Sequence, residues 1–243
     1  MPNSENDHIV RSYDEEQKRL THEIQRMGAM AVAQLEAALD VVERRDDNAA
    51  ERIIANDEAI DALEQEVSQD VMKLALRGPM ATDLRIILAA LRIASDIERV
   101  GDYAANMAKR SLALNTAPPI PHTGGLKAIG SLAAQQMRDV LKAYQDLDAD
   151  AAQRVRERDA DLDLQYTALF RELLTYMMGD PRTIGACTHL LFMAKNLERI
   201  GDHATNIAET VHYEITGDDI MGERPRAQPT PEDNAPTPNL PTN

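Results

Sequence analysis

Two stretches of this chain, 100 residues apart, carry nearly the same sequence. Ala94–Ala108 reads ASDIERVGDYAANMA, and Ala194–Ala208 reads AKNLERIGDHATNIA. Eight of the fifteen positions are identical, and three further pairs are apolar in both stretches. General similarity among amphipathic helices does not explain a shared Glu-Arg-x-Gly-Asp. The pattern therefore predicts two copies of one structural unit.

Each stretch lies within a longer helical pattern, in which apolar residues recur every three or four positions in six segments. In the first unit the pattern begins after a Ser12–Glu15 capping box, turns at Asp46 and stops at Gly78-Pro79. In the second unit the fifth segment ends at Gly179, and Asp180-Pro181 opens the sixth. We expect an all-α fold of two pseudo-symmetric three-helix bundles with six main helices.

Prolines and glycines between residues 117 and 125 interrupt the helical pattern and predict a linker. The predicted repeats are therefore residues 12–116 and 126–217. Residues 218–243 hold six of the twelve prolines and almost no apolar residues, which predicts a disordered tail.

Composition excludes several classes of protein. A net charge of −15 repels phosphate backbones, so nucleic-acid binding is not expected. The single cysteine, Cys187, rules out an internal disulfide and is expected to be a buried apolar residue. The N-terminus has no apolar signal core, and the longest apolar run, Ile86–Leu91, is too short to span a membrane. These features predict a soluble cytoplasmic protein.

The repeated motif places two carboxylates one helical turn apart, on a face away from the apolar stripe. Like charges at this spacing destabilise a helix, so a partner is expected. Either Arg99 or solvent screens the two charges, or a bound cation neutralises them. Small residues beside the pair leave room for a ligand, and an asparagine one turn further on offers a third oxygen. Oxygen donors of this kind suit hard or borderline cations. The candidate metal ligands of this motif are Glu98, Asp102, Asn106, Glu198, Asp202 and Asn206.

A second pair of carboxylates in each unit extends the candidate site. Asp57 and Asp61 form one pair, and Asp159 and Asp163 form the other. Antiparallel packing of neighbouring helices could bring these pairs beside the first ones, although a solvated acidic face is an equally good interpretation. His203, beside one motif carboxylate, is expected to be hydrogen-bonded rather than a metal ligand.

Signatures of enzymes are largely missing from the sequence. It contains no glycine-rich phosphate loop and no G-x-S-x-G. A carboxylate di-iron oxidase needs two E-x-x-H pairs, and this chain has one, Glu209 with His212. We therefore predict a protein that is not an enzyme. A metal-dependent hydrolase or oxidase and a purely structural helical scaffold are the alternatives.

The motifs resemble those of a known family. The segments Glu98–Asp102 and Glu198–Asn206 resemble the paired signatures of the PhoU family of phosphate transport regulators. Asp83–Arg85 and Pro181–Glu209 also look like that family, although Asp83 is interpreted first as a helix cap. The resemblance extends from about Ser12 to Gly217.

The resemblance implies a function as well as a fold. Members of the family fold as two three-helix bundles and can carry multinuclear metal sites, often iron, so iron is expected here, with Mn, Zn or Mg as alternatives. They are negative regulators that relay the state of a phosphate ABC transporter, through its ATPase subunit, to a sensor histidine kinase. They are usually homodimers and reach the membrane only through these partners. Asn196 replaces Asp96 in the second motif, so the two sites are expected to differ in charge and affinity.

Overall fold

The computed structural model describes residues 4–78, 81–118 and 124–220, with side chains described in 15–78, 82–118 and 124–220. Within these ranges the chain is helical and contains no strand, which confirms the all-α prediction. The first bundle consists of three long helices and the second of four. In chain order they are α1 (Ser4–Arg44), α2 (Asp47–Ala75), α3 (Ala81–Asn115), α4 (Gly124–Asp146), α5 (Ala149–Glu157), α6 (Asp159–Gly179) and α7 (Ile184–Thr216).

Two predicted helix boundaries differ from the structure. Helix α1 begins at Ser4 rather than Ser12, because no glycine or proline between these two residues interrupts the helix. The fifth predicted helix is broken at Arg158 into α5 and α6. The side chain of Gln136 donates to the carbonyl oxygen of Arg158 (3.2 Å), so a contact from α4 satisfies a backbone group at the break. The six predicted helices are otherwise present.

The duplication is visible in the turns that follow α1 and α4. Arg45 and Leu147 both have a positive φ, at 57° and 50°. The next residue in each case, Asp46 or Asp148, accepts a hydrogen bond from the backbone three residues on and caps the following helix. The cap predicted near Asp46 is confirmed. The same local chemistry therefore starts the second helix of each bundle.

The two bundles pack against each other through α1 with α4 and through α3 with α7. On the first of these interfaces, Leu141 covers Gly28 and Leu39 covers Gly130. A Cβ placed on Gly28 would stand 2.5 Å from Leu141 Cδ2, and one on Gly130 would stand closer still to Leu39. Each leucine thus fills the space that a glycine of the other repeat leaves.

Helices α3 and α7 run antiparallel, because residues further along α3 contact residues nearer the start of α7. The Tyr103 and His203 rings lie 5.7 Å apart near the middle of this interface. Towards one end, the guanidinium of Arg110 lies 4.1 Å from the centre of the Phe192 ring. The apolar core continues through both bundles. The pair α3 and α7, which carries the repeated motifs, is therefore the centre of the molecule.

The central part of the predicted linker, residues 119–123, lies outside the described residues, as do 221–243 of the predicted tail. Helix α4 begins at Gly124, two residues before the predicted start of the second repeat. None of the helices in the described ranges has an apolar stretch of membrane-spanning length.

We expect Gly130→Ile to destabilise the protein by about 1–3 kcal/mol, because the new side chain must push Leu39 and α1 away from α4. Thermal unfolding measures the effect, at roughly 2–4 °C per kcal/mol for a chain of this size. Gly185→Ile in α7 is the control, since nothing lies within 4 Å of a Cβ there. Equal stability of the two variants would contradict this packing.

Candidate metal centre

Each repeated motif contains a glycine at which a neighbouring helix approaches closely. At Gly101 on α3, an added Cβ would stand 2.9 Å from Ile60 Cδ1 and 3.4 Å from Asp57 Oδ1. At Gly201 on α7, it would stand 3.1 Å from Leu162 Cδ1 and 3.2 Å from Asp159 Oδ1. The glycine therefore lets the second acidic pair of each repeat reach the first pair, as the sequence suggested.

We call Asp57, Asp61, Glu98 and Asp102 the first acidic cluster. Burial raises the pKa of Asp57, a hydrogen bond from Gln34 offsets part of that rise, and Asp102 raises it further. Burial also raises the pKa of Asp61 and of Glu98, and in both the charge of Asp102 adds to the rise. The carboxylates of α2 and α3 thus repel each other across the helix interface.

The second acidic cluster comprises Asp159, Asp163, Glu198 and Asp202. Asp159 and Glu198 are both buried, at 7% and 8% exposure. Burial raises the pKa of Glu198, and Asp202 and Asp163 raise it further, while Lys195 acts in the opposite direction. This cluster repeats the α2–α3 arrangement between α6 and α7.

A buried glutamine lies beside each cluster, and neither was among the predicted site residues. Gln34 Nε2 donates to Asp57 Oδ1 (2.8 Å) and to the carbonyl oxygen of Gly101 (3.1 Å), and so ties α1 to α2 and α3. In the second bundle, Gln136 Oε1 stands 3.2 Å from the Cβ position of Gly201. Both glutamines interrupt an apolar stripe, at equivalent positions of α1 and α4. A polar residue within such a stripe is the sequence signal that could have identified them.

The two candidate asparagines are placed differently from the carboxylates. Asn206 directs its amide to Asp96 Oδ1 on α3 (3.4 Å), and His203 Nδ1 lies 2.7 Å from the same oxygen. Asn106 is exposed. The hydrogen bond of His203 agrees with its expected role. Asp96 thus belongs to the α3–α7 interface, and the first acidic cluster is built without it.

Comparison with known proteins identifies the family of this chain. A family model described as the PhoU domain matches the chain twice, over residues 24–111 and 126–211. The chain belongs to the PhoU family.

Relatives that align with nearly the whole chain support its membership of the family. A Xylella fastidiosa protein named "Phosphate-specific transport system accessory protein PhoU homolog" is 66% identical over 230 residues, which cover 95% of this chain and 98% of that one. The Escherichia coli protein named "Phosphate-specific transport system accessory protein PhoU" is 32% identical over 216 residues, covering 88% and 90% of the two chains.

Solved PhoU structures share the fold. The crystal structure of PhoU from Pseudomonas aeruginosa matches with a TM-score of 0.82 at 32% identity and covers 85% of this chain and all of that one. A structure titled as the phosphate transport system regulatory protein PhoU from Streptococcus pneumoniae has a TM-score of 0.80 at 29% identity, with 86% and 99% coverage. This chain is therefore similar to accessory proteins of phosphate-specific transport systems.

The acidic clusters of this PhoU-family chain have the donor chemistry of a cation site. Four carboxylates per cluster offer hard oxygen ligands, and their mutual repulsion favours a positive charge among them. Across the described residues, however, no three His, Cys, Asp or Glu side chains are already positioned around a single ion. Binding of a metal ion would therefore require the carboxylates to turn towards each other. The metal ligands named from the sequence stay predictions.

Proposed function

We propose that this protein is a cytoplasmic negative regulator of phosphate uptake and phosphate-starvation signalling. It would act as an adaptor between the ATPase subunit of a phosphate ABC transporter and a sensor histidine kinase, and would catalyse no reaction. The observation that carries the proposal is the 66% identity, over almost all of both chains, to a protein named as an accessory protein of the phosphate-specific transport system.

Two direct binding measurements test the adaptor proposal. The purified chain is expected to bind the isolated ATPase subunit of the phosphate transporter and the cytoplasmic part of the sensor kinase from the same organism. The ATPase subunit of an unrelated importer serves as the control. Binding to neither phosphate-system partner would contradict the adaptor role. The chain is also expected to be a homodimer, which its molar mass in solution would show.

We further propose that the acidic clusters bind metal, with iron as the expected ion and Mn, Zn or Mg as alternatives. Support comes from the carboxylates between α2 and α3 and between α6 and α7: burial raises the pKa of Asp57, Glu98 and Glu198, and neighbouring carboxylates raise it further. Metal binding would supply the positive charge that relieves this repulsion and would hold each pair of helices together. Gln34 would keep Asp57 in place while the other carboxylates turn.

We expect the Glu98→Ala/Asp102→Ala variant to lose metal from the first cluster only. These two carboxylates supply the α3 side of that cluster, and the second cluster lies on other helices. Elemental analysis of protein never exposed to chelator measures the loss. An unchanged metal content in the folded double variant would contradict the assignment.

A further inference from the structure

The two acidic clusters differ at one position that faces the carboxylates. Position 195, three residues before Glu198, is a lysine, whereas the equivalent position of the first repeat is Ser95. Lys195 Nζ lies 3.2 Å from both carboxylate oxygens of Glu198. Ser95 has only an uncharged hydroxyl and is exposed. The second cluster therefore contains a cation of its own chain, and the first has none at that position.

The lysine is held in place rather than free in solvent. Its side chain is 22% exposed and that of Glu198 is 10% exposed, so water screens this ion pair much less than a surface pair. Its ammonium also lies 5.6 Å from the centre of the Tyr166 ring, within range of a cation–π contact. The charge-assisted hydrogen bond to Glu198 and the contact with the Tyr166 ring together hold the ammonium against the cluster.

One further exchange between the repeats increases the difference in charge. Glu64 occupies the position on α2 that Tyr166 occupies on α6, and its charge raises the pKa of Glu98. The cations near the first cluster are Arg99, which lies 3.0 Å from Asp102 and 3.5 Å from Glu98, and Lys109, whose charge lowers the pKa of Asp57. Lys109 is exposed, so solvent screens its charge. The Arg99 side chain is 55% exposed, so solvent weakens its effect.

We propose that Lys195 is a built-in counter-cation of the second acidic cluster, and that it makes this cluster bind divalent metal more weakly than the first. The proposal rests on the metal binding proposed above and would give two copies of one motif different affinities. A metal ion approaching Glu198 must displace an ammonium that already contacts both of its oxygens. The two sites were expected to differ in affinity because Asn196 stands where the first repeat has Asp96. Asp96, however, contacts His203 on α7 rather than the first cluster, so we assign the difference to Lys195.

Exchange of the two residues between the repeats tests the proposal. The probe is Mn²⁺, titrated into metal-depleted protein and followed by the signal of free Mn²⁺ in electron paramagnetic resonance. In a Glu98→Ala/Asp102→Ala background, where only the second cluster is intact, Lys195→Ser is expected to tighten Mn²⁺ binding about tenfold, the effect of one charged hydrogen bond. In the otherwise unchanged chain, Ser95→Lys is expected to weaken binding at the first cluster by about the same factor.

Lys142→Ser in the same background is the control, because Lys142 is 74% exposed and pairs with Asp146 away from the cluster. Serine is the residue that the first repeat carries, so the Lys195 variant is compatible with the fold. Tighter binding in Lys195→Ser but not in Lys142→Ser supports the proposal, even if the parent chain binds no Mn²⁺. If the unchanged chain binds Mn²⁺ and neither exchange alters its affinity, the role of Lys195 is wrong and metal binding stands. If no variant binds Mn²⁺, the proposed role of Lys195 is wrong, and the elemental analysis described above decides whether the clusters bind iron.

Discussion

Replacing Glu214 with Gln is expected to stabilise the protein by about 3 kcal/mol at pH 8 and to leave its stability almost unchanged at pH 4.5. Glu214 lies in α7 and is 8% exposed. Its Oε2 atom is buried without a hydrogen-bond partner among the described residues. Burial raises its pKa to about 7 from the ordinary value of 4.5, although Arg85 acts in the opposite direction.

The sign of the effect follows from proton binding. Because the folded protein holds the proton on Glu214 more tightly than the unfolded chain, its stabilising contribution is complete below about pH 4.5 and is lost as the pH rises to about 7. Glutamine keeps the shape of the protonated side chain and does not ionise.

Denaturant unfolding of parent and variant between pH 4.5 and 8, in the presence of a chelator, measures the difference. Glu51→Gln, at an exposed position on α2, is the control and should leave the pH dependence unchanged. A Glu214→Gln variant that is less stable than the parent at pH 8 would show instead that the charge of Glu214 stabilises the fold through Arg85.

The second large effect concerns the acidic clusters together. We expect the Glu98→Ala/Asp102→Ala/Glu198→Ala/Asp202→Ala variant to remain helical, to lose its metal, and to lose part of its repression of phosphate-starvation genes in phosphate-rich medium. Removal of these carboxylates leaves each cluster with its α2 or α6 pair alone, too few ligands to hold an ion. A loosened face between those helices would then impair docking of partners.

A variant with the same change in net charge separates the effect of the clusters from that of overall acidity. Glu15, Glu51, Asp150 and Asp218 are exposed and lie outside both clusters, so their replacement by Ala should preserve metal content and repression. Full repression by the metal-free cluster variant would leave the regulatory role intact but remove metal from its mechanism.

Local signals in the sequence were sufficient for much of the fold. The three- and four-residue spacing of apolar side chains predicted the six helices, and Asp46 and Gly78 marked real helix ends because capping and positive φ depend on nearby residues. The break at Arg158 could not be predicted this way. No glycine or proline lies there, and the group that satisfies its carbonyl, Gln136, comes from another helix.

The candidate site shows the same limit. Helical spacing placed the two carboxylates of each pair on one face of their helix, since i, i+4 geometry is local. It could not show that Asp96 meets His203 of the other repeat, because that contact depends on how α3 crosses α7. Nor could it show that Lys195 points at Glu198 rather than at solvent, since a lysine side chain three residues away can do either.

The central claim is that this chain represses phosphate-starvation signalling, and deletion of its gene tests that claim most directly. The measurement is the activity of a reporter fused to a phosphate-starvation promoter, in cells growing with abundant phosphate. The account predicts high reporter activity in the deletion strain and restored repression when the intact chain is returned. Normal repression in the deletion strain would contradict the account.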